Sequence, residues 1–519
     1  MKKRILLLSL LGIGSNAAAE CCDNSNATSK TFFTVNQQYS LGRPEHLSLY
    51  RQERMVARKD GAWGCLQGVV FGGASTKSKD LARYFMPYNK CCIKIAESPA
   101  QTTTAGIFDG GAATFKDDSY DILAHNFNIT TEEHNFQSTI CFCPKQTYAG
   151  GAFNYRQSIS DNEEKGLWFD ITVPILHVKN CMGLSEVVTT TDPSHPVAGS
   201  MENMKKAFNQ SGWKYGKISP CALEKTGVAD VDVRIGYESV REDMCRYEGF
   251  LGVVFPTGNH VTGKYVFEPI VGRGHHWGII WGSGIGFDLW QNDHAMIQIA
   301  IDTYSNYLFE GSEVRSFDIV DKQWSRYINV FTDSNATTTT PGINTFTKCM
   351  KIKPRGQYQI NTAFIFKYKN FDLEIGYNGL GRQSEEGCLA CKWQEGPAIA
   401  GAHGFESGDE GTTLASSMNL ANMNAWNYTL ISQDVDYSAL NLNFSANVPQ
   451  YKVLKACDLN LNSALHPSTF AYTVYGALGY NCEEREYPCF AGLGGSYQFS
   501  SDNTSMTRWS VWGKVGVSI

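Results

Sequence analysis

Few residue groupings in this 519-residue chain have the types and spacing for bond-making chemistry. Cys388-Leu-Ala-Cys391 has the spacing of a metal-ligand pair. A zinc site needs about four ligands, and no second pair of that spacing occurs. A disulfide between Cys388 and Cys391 in an exported loop is therefore the expectation. His275 and His276 are adjacent, and strand neighbours point to opposite faces, so one ion does not use both. The chain contains no G-x-S-x-G elbow, H-E-x-x-H helix or G-x-x-x-x-G-K-[ST] loop. No enzyme, no metal and no cofactor is expected. A scattered Ser/His/Asn hydrolase set is the enzymatic alternative.

Another chemistry is carried by charged and amide residues that alternate with apolar ones. Arg156, Asp232, Arg234, Lys367, Asp372, Glu374, Asn441, Asn443 and Lys514 each sit on the polar face of such a stretch. On the wall of a water-filled lumen they would hydrate it and handle small polar solutes, with mixed signs and so weak ion selectivity.

The elements that must hold them are strands, because strand side chains alternate between faces. In 439–448 the apolar set is Leu440, Leu442, Phe444, Ala446 and Val448, against Asn441, Asn443, Ser445 and Asn447. Val231, Val233, Ile235 and Tyr237 alternate with Asp232, Arg234 and Gly236. Similar stretches run over 136–143, 148–157, 470–480 and 489–499, and more weakly over 167–178. The plainest hairpin is 358–377, where Lys369 and Asn370 make a two-residue loop. That register sets Tyr368 opposite Phe371 and Lys367 opposite Asp372. Alternation alone also fits a soluble β-sandwich. Polar faces crowded with Asn, Thr, Gly and charge, and aromatics near segment ends, favour a transmembrane antiparallel β-barrel. Roughly 14–20 strands are expected, with 16–18 favoured. One long loop or helical insertion, 180–228, interrupts the rhythm. In it Met201, Met204 and Phe208 share a helical face, read as an inward helix constricting the pore or a turn packed on the rim.

The amino terminus sets the compartment. Lys2, Lys3 and Arg4 precede an apolar run from Ile5 to Ile13 and the small residues Ala17, Ala18 and Ala19, the layout of a secretory signal peptide. Residues 1–19 are read as that signal, 20–60 as a periplasmic extension or a plug inside the barrel, and 61–519 as the barrel. Glu20 before Cys21 argues against a lipid anchor. Loss of three positive charges takes the net charge from −6 to −9, which argues against a nucleic-acid partner. Charged residues make up 18%, below the ~25% of ordinary domains. The 16 cysteines would meet an oxidising exterior, where disulfides persist.

The last strand, Trp509 to Ile519, sets Trp509, Val511, Gly513, Val515, Val517 and Ile519 on one face and Ser510, Trp512, Lys514, Gly516 and Ser518 on the other. It resembles the C-terminal signal of bacterial outer-membrane barrels, although Ile519 replaces the usual terminal aromatic. Phe250-Leu-Gly-Val-Val-Phe-Pro-Thr-Gly-Asn259, followed by Phe267-Glu-Pro-Ile-Val-Gly-Arg-Gly274, is similar to a strand, turn and Gly-rich strand of fatty-acid and aromatic-compound uptake channels. The cysteine count is reminiscent of disulfide-crosslinked porins of some intracellular bacteria. These resemblances imply the cell outer membrane, lipid and the barrel-assembly machinery as partners, and a wall compatible with a homo-oligomer. The expected function is a porin-like channel passing small polar solutes. The alternative is a structural or adhesive surface barrel with a plugged lumen.

Overall fold

The computed structural model describes residues 26–35, 41–49, 64–96, 121–132, 135–159, 165–190, 195–241, 245–331, 339–395, 398–400, 451–482 and 485–519. The signal segment 1–19, residues 50–60 and the stretch 439–448 lie outside the described residues.

Twelve strands close into one antiparallel barrel. They are β1 (Gly64–Ser75), β2 (Lys145–Ser158), β3 (Lys165–Cys181), β4 (Val231–Arg241), β5 (Cys245–Phe255), β6 (Gly278–Gln291), β7 (Ala295–Leu308), β8 (Arg355–Tyr368), β9 (Phe371–Arg382), β10 (Thr469–Cys482), β11 (Cys489–Ser500) and β12 (Arg508–Ser518). Each pairs with the next in sequence, and β12 returns to β1 through Val70 opposite Gly513 and their neighbours. Closure removes the open sheet edges that would leave backbone donors and acceptors unpaired in lipid. The β8–β9 hairpin turns at Lys369 and Asn370 in the expected register, Tyr368 opposite Phe371 and Lys367 opposite Asp372. Lys369 takes the left-handed φ of 53° that such tight turns demand.

The strand number is twelve rather than 14–20. Period-two alternation marks a half-buried strand but not the sheet it joins. Several alternating stretches form small sheets outside the wall. Gln137–Cys141, within the stretch expected over 136–143, pairs with Cys92–Ala96. Gly311–Ser316, Thr347–Lys353 and Glu386–Leu389 make another such sheet. The Gly-rich stretch 267–274 forms no strand. It belongs to a loop with positive φ at Phe267, Gly272 and Gly274.

The two ends of the barrel differ. At one, strands are joined by two to six residues, and Gly64 exchanges backbone hydrogen bonds with Ile519. At the other, the connections 76–144, 182–230, 256–277, 309–354 and 383–468 are long. Outer-membrane barrels carry short turns on the periplasmic side and long loops outside. The long connections share one hydrophobic core and fold over the mouth as a cap. Phe127, Phe208, Trp213, Trp324 and Tyr327 stack at its centre, with Trp213 lying 5.0 Å from Tyr327.

Met204 and Phe208 are wholly buried in that aromatic core, and Met201 packs against it. Met204–Ala207 is one helical turn capped by the Asn203 side chain. These three residues pack into the core of the cap over the mouth, not on the polar inner wall of the barrel, because apolar side chains gain more from each other than from a polar wall.

Candidate functional site

The barrel wall is inside-out. Val70, Phe153, Leu251, Ile360, Phe364, Ile375, Val474, Leu493 and Val515 are exposed on the outer face. Between them, Gln67, Asn154, Asp170, Arg234, Glu248, Asn361, Glu374 and Lys514 are buried on the inner one. Water on the outside would not sustain such a band; lipid does. The chain is a membrane-spanning β-barrel of the outer-membrane type.

No family model and no curated protein matches the chain. Solved structures with a similar trace include an outer membrane channel from Pseudomonas putida F1, at 8% identity over 89% of this chain and 97% of that one, TM-score 0.36. A FadL homologue of Pseudomonas aeruginosa matches at 8% identity over 95% and 98%, TM-score 0.26. The β domain of the Bordetella autotransporter BrkA matches at 6% identity over 88% and 100%, TM-score 0.31. The likeness is faint, and the fold stands on the strand register and wall polarity described above.

The lumen of this outer-membrane barrel is charged and filled. On the β2–β5 side Arg156 Nη2 bonds Glu238 Oε2 at 2.7 Å and Arg156 Nη1 bonds Glu248 Oε2 at 3.4 Å, while its guanidinium lies 3.9 Å over the Trp168 ring. Arg234 Nε donates to Asp170 Oδ1 at 2.7 Å. Arg273, from the loop before β6, grips Asp232 with both terminal nitrogens at 3.0 and 3.1 Å. Opposite, Asp372 accepts from Asn481 Nδ2 at 2.8 Å and Glu374 from the Tyr475 hydroxyl at 2.9 Å. Lys367 is half-buried on the same inward face. Paired and hydrogen-bonded charges are the form in which ions tolerate burial.

Residues 41–49 run down this lumen from the cap end. Asn378 Nδ2 donates to the Gly42 carbonyl at 2.9 Å and Arg43 Nη1 to Gln498 Oε1 at 2.6 Å. The Ser510 hydroxyl donates to Glu45 Oε1 at 2.7 Å. Lys514 Nζ donates to the carbonyls of His46 at 2.9 Å and Ser48 at 2.6 Å. Glu374 Oε2 accepts from Leu49 N at 3.3 Å. Lower still, Leu49 lies so close to Gly492 that a Cβ there would overlap it. Pro44 starts the single helical turn Pro44–Leu47, where its missing N–H costs nothing. The chain enters from the cap, where Thr34 Oγ1 donates to Glu385 and Ser29 Oγ to Asp318, and β1 then begins at the other end.

At the cap base a second charged cluster holds the loops. Glu313 accepts from His276 Nε2 at 2.7 Å and pairs with Arg315, which also reaches Glu385. Burial opposes charge on His276, but its bond to Glu313 and that carboxylate's charge prevail and raise its pKa above 6.5. Burial likewise disfavours the Glu313 carboxylate, yet Arg315 and His276 prevail and lower it below 4.5.

Of the residues expected from sequence, Arg156, Asp232, Arg234, Lys367, Asp372, Glu374 and Lys514 share the inner face; Asn441 and Asn443 lie outside the described residues. Cys388 and Cys391 are exposed free thiols in the cap. Asp170 and Glu248 were missed, though each alternates with apolar neighbours in β3 and β5. Arg273 and the trio Arg43, Glu45 and His46 carry no period-two signal, because they reach the lumen from a loop and from the threaded segment.

Proposed function

We propose that this protein is an outer-membrane channel for small polar solutes, closed in this conformation by its own segment 41–49 beneath the cap. The observation that carries the reading is the chemistry of the seat. The segment turns Arg43, Glu45 and His46 to a polar wall and is held there mainly by side-chain and backbone hydrogen bonds, with one small apolar contact where Leu41 packs on Val254, Ile280 and Tyr304. Arg43 Nη2 and His46 Nε2, both buried, make no hydrogen bond among the described residues. Such a seat can be exchanged for water and solute at modest cost, whereas an apolar plug could not be. Mixed signs along the wall support weak ion selectivity, and its charges support polar rather than apolar solutes.

A second reading, a structural surface barrel with a permanent plug, is favoured by the cap's continuous core over the mouth. Bilayer conductance separates the two. Deletion of residues 41–49, with folding checked by heat-modifiable gel migration, is expected to turn a mostly closed protein into a conducting one. A folded deletion variant that still conducts nothing would sink the channel and leave the structural barrel.

A further inference from the structure

We propose that Cys482 and Cys489 form a redox-reversible disulfide that staples the β10–β11 hairpin at the periplasmic rim. Two cysteine pairs among the described residues stand directly opposite each other on antiparallel neighbours. Cys92 and Cys141 are one, and they are bonded. Cys482 and Cys489 are the other; they are half-exposed free thiols on the same face of paired strands. Elsewhere the residue opposite is not a cysteine: Cys65 faces Ser518 and Arg156, Cys181 faces Lys145, and Cys245 faces Arg241 and Phe287. Directly opposed residues bring their Cβ atoms to about 4.5–5.5 Å, within a small adjustment of the ~3.5–4.5 Å a disulfide spans.

The position suits a soluble oxidant. Cys482 follows Tyr480 on the outward face of β10, just beyond the Phe371–Tyr480 ring pair, whose centroids are 5.0 Å apart. Aromatic pairs of this kind mark the membrane interface, so the thiols sit at the watery edge. In the bond-forming step one cysteine thiolate attacks a sulfur of the oxidant's disulfide, supplied by an envelope thiol–disulfide oxidoreductase or, in vitro, by oxidised glutathione. A mixed disulfide forms and one oxidant sulfur leaves as thiolate. The second cysteine thiolate then attacks the first cysteine's sulfur and expels the other oxidant sulfur. Two electrons pass to the oxidant, and the two cysteine protons end on its two thiols.

The staple would act where the lumen segment is held. β10 supplies Tyr475 to Glu374, and β11 places Gly492 against Leu49. The bond would tie these two strands together at their lower ends.

Arg485 lies between the two cysteines, so trypsin separates their peptides unless they are bonded. Outer membranes equilibrated across reduced-to-oxidised glutathione ratios are quenched with N-ethylmaleimide, digested and mapped by mass spectrometry. The expected result is a linked Cys482–Cys489 peptide under oxidising ratios that disappears on reduction, with alkylation of both residues rising together. Cys489→Ser should leave Cys482 alkylatable at every ratio; should that variant not fold, the wild-type map decides alone. Both cysteines alkylated while Cys92–Cys141 stays bonded, or either joined to another cysteine, would overturn the proposal.

Discussion

Val70 sits at the middle of β1, 65% exposed, with only lipid to meet it. Val70→Arg is expected to destabilise the folded barrel by about 2–4 kcal/mol, the cost of a cation near the bilayer midplane. Val70→Leu should be nearly neutral. Urea unfolding from liposomes measures both, and equal behaviour of the two would mean that this face does not meet lipid. Lys514 poses the opposite question from inside. Its ammonium holds two carbonyls of the lumen segment, and hydrogen bonds to a charged group are worth roughly 1.5–3 kcal/mol. Lys514→Met should therefore raise the open probability in bilayers by about tenfold or more, with heat-modifiable migration preserved. An unchanged open probability would show that the segment is not the gate.

At the scale of elements, the loops 256–277, 309–354 and 383–468 are joined at the cap base by the His276–Glu313–Arg315 cluster and its link to Glu385. His276 is raised above 6.5 in the folded state, so the stability it contributes is complete below pH 6.5 and is lost as pH rises through the raised value. Glu313 is lowered below 4.5, so its contribution is complete above pH 4.5 and is lost as pH falls through the lowered value. Together they set a window of greatest cap-base stability from 4.5 to 6.5. Hydrogen exchange of the amides in Gly311–Ser316, corrected for intrinsic rate, should show most protection inside that window. His276→Gln should abolish the decline on the alkaline side and leave the acidic one. A variant whose alkaline decline matches the wild type would assign that limb to another group.

For the whole molecule, the two unlike ends make an orientation test. Lys205, Lys206 and Lys225 are exposed on the cap side, whereas Lys165 and Lys369 are exposed at the short turns. A membrane-impermeant amine reagent applied to intact cells should label the first three and spare the last two until the outer membrane is breached. The reverse pattern would invert the barrel. The same orientation means that the amino-terminal segment passes through the barrel, from Ser29 in the cap to Leu49 near the far end, before the first strand begins. If segment 41–49 gates the barrel as proposed, opening would not be a simple withdrawal. With Ser29 and Thr34 bonded into the cap and β1 fixed in the wall, the segment would move aside in the lumen or the cap would loosen with it.

Much of the wall was legible before any fold was known. The β8–β9 hairpin, the two faces of the last strand and the inward set from Arg156 to Lys514 all follow from strict alternation closed by a two-residue turn, a local property of the chain. Alternation could not assign strands to the wall, because Gln137–Cys141 and Thr347–Lys353 alternate as β10 does yet pair within the cap. Nor could it show that Met204 and Phe208 face Trp213 and Trp324 rather than a pore, since a helical apolar face records that it is buried but not against what. The lumen's occupant was the least visible. Residues 20–60 read as a periplasmic extension or a plug, and what sets Arg43, Glu45 and His46 in the lumen is Asn378, Gln498, Ser510 and Lys514, hundreds of residues away. The sequence by itself determined the alternating strands and the polarity of their two faces, because a pleated chain fixes neighbours at short range. Only the tertiary structure decided how many strands close the ring, what roofs it and what fills it, because those depend on contacts that close over long loops and leave no periodic trace.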